Sequence, residues 1–200
     1  MPRSFLSRGA LLLAGCVVLG VGVGMLLTAD LGSDGFSTMV NGVAIGLDVP
    51  FVVANAGISL AFVLLAAARG LRPGIGTLTQ VVVVGFTVSG VLALIDTPDA
   101  VLGQALLLVA ACPVIAVGIS AYLGAHLGAG PAESAALAWD PPLPFRWSYS
   151  AVQLFGAVAG WLLGATLGPG TLVVVVLLGP AVDLTSRLLR LDVRQRAEPV

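Results

Sequence analysis

GIGTLTQVVVVG (Gly74–Gly85) and GPGTLVVVVLLG (Gly168–Gly179) stand 94 residues apart and keep the same glycines, threonine, leucine and valines in the same order. The match extends outward. At that offset, positions 71–90 lie over 165–184, with Gly74/Gly168, Gly76/Gly170, Thr77/Thr171 and Gly85/Gly179 among the identities. At an offset of 96, Cys16–Gly32 lies over Cys112–Gly128, with Cys16/Cys112, Gly22/Gly118, Ala29/Ala125 and Gly32/Gly128 preserved. Valine matches in apolar helices arise easily, but the glycines, the threonine and the cysteine pair do not. Two collinear blocks at nearly equal offsets indicate that the chain is a duplication, with halves near 1–96 and 97–200.

What is duplicated follows from composition. Of 200 residues, 58% are hydrophobic and 10% charged, and mean hydropathy is +1.07. Too few charges exist to cover a water-facing surface, which places the chain among integral membrane proteins. Net charge is -1, so no basic surface argues for nucleic acid. A hydrocarbon core of roughly 30 Å takes about 20 apolar residues. Six segments meet that need, near 9–29, 50–68, 75–95, 101–124, 148–167 and 170–189. The first is too long for a cleaved signal and is read as a retained helix. Counting 33–47 and 131–139 as further spans would give eight, but both are too short.

Three spans per half is an odd number, so the second half enters the membrane from the opposite side. The expected fold is therefore all-α, with six transmembrane helices forming a 3+3 inverted-topology repeat, a plan common among secondary transporters. The arginines orient it. There is no lysine, and the nine cations are all arginine. Six crossings from a cytoplasmic N-terminus put all of them on one side: Arg3, Arg8, Arg69, Arg72, Arg146, Arg187, Arg190, Arg194 and Arg196. Cationic loops stay in the cytoplasm, so both termini are expected there, in a multi-pass protein of the plasma membrane.

Between the first two spans of each half lies a short segment opened by small residues, LGSDGFSTMVNGVAIGL (31–47) and LGAGPAESAALAW (127–139). Gly, Ser, Asp and Pro stop one helix and cap the next. Each half is thus expected to carry one short interfacial or re-entrant helix. A re-entrant piece is tolerated at depth only where protein or water satisfies its backbone.

RPGIGTLTQVVVVG, YLGAHLGAGP and GWLLGATLGPGTLVVVVLLGP resemble the YczE/YitT-like family of bacterial multi-spanning membrane proteins, over roughly residues 8–190. The resemblance implies a plasma-membrane protein suspected in some members of moving small molecules. The sequence departs from the family pattern at Asp34–Ser37, Gln80, Ser89, Tyr149 and Gln153, where relatives often carry other polar or charged residues.

Ionisable groups inside spans are functional suspects because burying them is costly. Asp183 is the clear case, although Arg187 four residues on offers an ion pair reaching the interface. Asp34 reads as an N-cap or as a site residue. Asn41, Gln80, Ser89 and Gln153 complete a candidate polar pathway at the repeat interface, while Gln104 and Asn55 read as interhelical hydrogen-bonding groups. The lone His126 has no ligand-spaced neighbours, so no metal is expected. Cys16 and Cys112 read as small packing residues. Pro113 and Pro180 fall inside spans, where proline bends a helix.

Gly156, Gly160 and Gly164 form a GxxxGxxxG face on the fifth span, and Gly20 and Gly24 a shorter one on the first. Such faces serve the internal bundle, a packing partner or a second copy equally well. No nucleophile–base set or acidic pair appears in the spans, so no enzyme, catalytic residue or cofactor is expected. The expected function is a transporter or permeation protein for a small polar solute, zwitterionic or neutral. The alternative is a non-transporting accessory or assembly partner.

Overall fold

The computed structural model describes residues 5–71, 74–139, 142–143 and 145–191, with the backbone alone for 145, 146, 175, 179 and 183. Arg3, Arg72, Arg194 and Arg196 lie outside the described residues.

Those residues form eight α-helices and no strand: α1 (Phe5–Thr28), α2 (Gly35–Leu47), α3 (Phe51–Ala68), α4 (Ile75–Leu94), α5 (Val101–Leu123), α6 (Pro131–Leu137), α7 (Phe145–Leu162) and α8 (Pro169–Leu188). Five of these, α1, α3, α4, α5 and α8, are long and apolar enough to cross a membrane. The expected fifth span differs. α7 has 18 residues and sits at 145–162 rather than 148–167, and Arg146, Ser148, Tyr149 and Gln153 make its first half polar.

The early end of α7 has a local cause. Gly164 takes φ +100°, Ala165 N–H donates to the Gly160 carbonyl at 2.9 Å, and Gly164 N–H donates to Trp161 at 3.0 Å. This is a Schellman stop, in which a left-handed residue closes the last carbonyls. Gly164, expected to continue the glycine face, terminates the helix instead. The same closure ends α3 at Gly70, with Leu71 N–H reaching Ala66, and α2 at Asp48, with Val49 N–H reaching Ala44.

Large apolar side chains point outward. Leu60, Leu64, Phe86, Leu102, Val109, Phe155, Leu172 and Val176 are all exposed, an arrangement that water would penalise and lipid accommodates. The interior combines large apolar side chains such as Leu12, Leu26, Phe51 and Ile115 with small and polar groups, and α1 and α5 are the most enclosed of the five. These two cross in close contact. A Cβ on Gly22 would stand 2.6 Å from Ile115 Cγ1, and one on Gly118 would stand 2.5 Å from the Leu19 nitrogen. Residues 19 and 22 shifted by 96 are 115 and 118, so one contact repeats the other with the partners exchanged.

Most other pairings come in matching couples: α4 packs along α1 and α8 along α5, α2 on α7 and α6 on α3, α2 on α3 and α6 on α7, whereas α3 packs on α4 without a comparable contact among the described residues of α7 and α8. Gly20 and Gly24 meet Thr87 and Val91 of α4. Ser120 and Thr185, equivalent to Gly24 and Val91, share a 2.7 Å hydrogen bond. Gly35 and Gly42 of α2 press on the Gln153 and Gly160 backbones of α7, and Gly156 and Gly160 on the Gly35 and Thr38 carbonyls. The glycine faces are therefore occupied within the chain. Pro113 and Pro180 lie inside α5 and α8, and Cys16 and Cys112 are free thiols.

Candidate functional site

α2 and α6 begin in the interior. Asp30, at φ 51°, and Gly32, at φ 97°, turn the chain back after α1. As a result Asp34 shares a cavity wall with Leu19 and Val23, from the middle of α1. α2 then runs outward along α7. After α5 the same reversal uses His126 at φ 51° and Gly128 at φ 132°, and Pro131 and Glu133 reach that cavity from the other end of the bundle.

Two backbone clasps hold these reversals. Gly170 N–H donates to the Leu31 carbonyl at 2.7 Å, and Gly76 N–H donates to the Leu127 carbonyl at 2.7 Å. The doubled glycine-threonine phrases are thus the halves of α4 and α8 that grip the two turns. No room exists there for side chains: a Cβ on Gly76 would stand 2.7 Å from the Leu127 carbonyl oxygen, and one on Gly170 would stand 2.6 Å from that of Leu31. The clasps differ in one bond. Thr77 Oγ1 donates to the Ala129 carbonyl at 2.6 Å, whereas the buried Thr171 Oγ1 has no partner.

The cavity between them measures about 80 Å³. Asp34 caps α2, its Oδ2 accepting from Ser37 N–H at 3.1 Å. Gln153 Oε1 accepts from the next free amide, Phe36 N–H, at 2.9 Å, and its Nε2 donates to Tyr149 OH at 2.9 Å. Across the cavity Glu133 Oε1 accepts from Tyr122 OH at 3.1 Å. Gln80 and Glu133 close over the Gly130 backbone, where a Cβ would collide with both. Burial raises both carboxyls. The bonds from Ser37 oppose this at Asp34, and the Tyr122 hydroxyl opposes it at Glu133, while the nearby Asp34 charge raises Glu133 further. Two polar atoms on this wall stay unsatisfied, Ser59 Oγ and Gln80 Oε1.

Of the candidate pathway residues, Asp34, Gln80 and Gln153 line this cavity. Asn41 lies apart, in a small pocket with Asp30 and Thr166. Ser89 Oγ accepts from Val52 N–H at 2.9 Å and so serves the start of α3. Asp183 lies on α8, and its side chain is outside the described residues. Gln104 is tied to the Pro98 carbonyl at 3.1 Å. Asn55 makes an interhelical bond to the Val81 carbonyl at 2.9 Å while lining the cavity. Reading from sequence missed Glu133, Tyr122 and the cavity-facing role of Tyr149. A carboxylate in a short re-entrant segment with no neighbouring cation was the available signal. Among the described residues, no group of three His, Cys, Asp or Glu side chains is placed to hold a metal.

An apolar exterior and long apolar helices around a central cavity with a few polar groups in its wall describe an all-helical membrane protein. The chain belongs to the family of unknown function DUF6198, whose sequence profile matches residues 3–187. It is similar to an uncharacterized protein of Haemophilus influenzae, with 26% identity over 176 residues covering 87% of this chain and 81% of that one. No solved structure matches it.

Proposed function

We propose that the protein is a plasma-membrane transporter of a small polar solute, with the central cavity as its binding site. The observation that carries this reading is the cavity itself. Two short helices start inside the bundle from opposite ends and bring Asp34 and Glu133 to one largely apolar pocket that also holds unsatisfied hydroxyl and amide oxygens. Interrupted helices whose ends line a central site are how inverted-repeat transporters hold cargo. We read the halves, 1–96 and 97–200, as such a repeat. The exchanged contacts support it: Gly22 on Ile115 against Gly118 on Leu19, and Leu31 to Gly170 against Leu127 to Gly76.

α7 counts as a span in this reading, bringing the total to six, its polar half being turned to the cavity through Tyr149 and Gln153. Orientation follows the arginines. Arg8 bonds the Ala125 and His126 carbonyls, and Arg69 stacks 3.7 Å over Trp139, so these cations share one end of the bundle. Asp30 bonds Thr166 at the other. The arginine end is cytoplasmic by the positive-inside rule. The family is read as one of the YczE/YitT kind. The accessory-partner reading drew on the glycine faces and on the scarcity of charge within the spans; the fold occupies the glycine faces internally.

The test is an untargeted comparison of metabolites exported with and without the gene, followed by flux of the candidate solute in proteoliposomes. A solute whose flux requires the protein and is lost in Gln153→Ala supports transport. No flux difference, together with a stoichiometric membrane partner on purification, refutes it.

A further inference from the structure

We infer, building on the transport reading, that the cavity takes a small organic monocation, with its charged centre between the Asp34 and Glu133 carboxylates and its apolar surface on the aromatic wall. The charge balance comes first. When ionised, each carboxylate carries a full negative charge, whereas a helix N-terminus offers about half a positive one. Even with both short helices counted, the pair then retains roughly one negative charge, and among the described residues no Arg, Lys or His lines the cavity to offset it. A buried charge demands a partner, and one positive charge supplies it.

The walls specify which cation. Phe36, Phe51, Tyr122 and Tyr149 line the same space, and ring faces attract alkylated ammonium or planar amidinium groups. A hard metal ion would instead require a cage of oxygens. Ser59 provides a third, independent observation. It is 1% exposed and faces the cavity, and its hydroxyl has no partner, as does Gln80 Oε1. Such groups are left open for a ligand or its water. Size completes the description. At about 15 Å³ per water-sized group, a cavity of about 80 Å³ accommodates roughly five non-hydrogen atoms. Glycine and propionate match that size with the wrong charge, and tert-butanol matches it with none.

The experiment titrates the purified full chain in lipid nanodiscs calorimetrically with tetramethylammonium, tert-butanol, glycine and propionate. Saturable binding of tetramethylammonium, at least tenfold tighter than the other three, is expected. Asp34→Asn and Glu133→Gln should each weaken it at least tenfold, and the exposed Asp99→Asn should leave it unchanged. Should Glu133→Gln fail to fold, Asp34→Asn decides alone, because asparagine caps a helix as well as aspartate does. Equal or tighter binding of glycine, propionate or tert-butanol overturns the inference. So does absence of binding by all four, or unchanged affinity in the carboxamide variants. Binding without flux in proteoliposomes supports the cation site and removes transport. Flux of a neutral or zwitterionic solute without cation binding overturns the cation site and keeps transport.

Discussion

Placing a methyl group at the α1–α5 crossing tests the packing on which the cavity rests. In Gly22→Ala the new Cβ meets Ile115 Cγ1 at 2.6 Å and the Ile115 nitrogen at 2.8 Å. Ordinary contact begins at 3.4 Å, so the helices must part by about 0.6–0.8 Å. A gap of that order forfeits a quarter to a half of each dispersion contact along the seam, and overpacked interiors lose about 1–3 kcal/mol. Backbone atoms cannot rotate away, so Gly22→Ala and Gly118→Ala are each expected near the upper end, about 2–3 kcal/mol. The double variant should cost about 3 kcal/mol rather than the sum, because parting the helices for one methyl makes room for the other. Gly57→Ala and Gly90→Ala, with nothing within 4 Å, serve as controls and should be neutral or stabilising by up to about 1 kcal/mol. Unfolding in mixed micelles with increasing dodecyl sulfate, followed by far-UV circular dichroism, measures all five variants. Crossing variants as mild as the controls, or a strictly additive double variant, would refute the reasoning.

Other expectations follow from the same contacts. Gln153→Ala and Gln80→Ala should cut transport at least tenfold at equal expression, whereas Gln104→Ala, at the end of the bundle against Pro98, should not; equal loss in all three would count against the cavity. Asp34→Ala should destabilise by about 1 kcal/mol through the lost cap while Asp34→Asn costs little, as thermal melts of the two variants would show. Cation binding should strengthen as pH rises and fail as it falls, because burial raises the carboxyls of Asp34 and Glu133 and their protonated forms carry no charge. Among the described residues, the other titratable side chains lining the cavity are the phenols Tyr122 and Tyr149. Calorimetry across pH checks the sign.

Much of the architecture was legible because membrane helices write their limits plainly. Apolar runs flanked by glycine, proline and arginine placed α3, α4, α5 and α8 to within a residue or so. The doubled phrase marked the glycine turns that open α4 and α8, but nothing in it pointed to Leu31 and Leu127 as the carbonyls they grip. α7 was harder to place. Gly164 fits a packing face by spacing and a helix stop by backbone freedom, and only the bond from Ala165 to Gly160 separates the two. The site was half legible. Asp34, Gln80 and Gln153 declared themselves as polar residues in apolar surroundings. Glu133 did not, since an acidic residue in a first helical turn reads as part of a cap. Tyr122 carries no signal of its own within the apolar run of the fourth span. Their convergence depends on both chain reversals dipping inward, and a linear pattern does not reveal depth.

The proposed transport requires that the cavity open to each side of the membrane in turn. It is tested by a single cysteine, Ser59→Cys, in a background with Cys16→Ala and Cys112→Ala. Ser59 lines the cavity and makes no hydrogen bond through its hydroxyl, so the exchange is nearly isosteric. Labelling uses a membrane-impermeant methanethiosulfonate on right-side-out and inverted vesicles, with Asp99→Cys as the one-sided control. The account predicts that position 59 reacts from both faces and is protected by tetramethylammonium, while position 99 reacts only from outside. Reaction of position 59 from one face alone, or from neither, would contradict it.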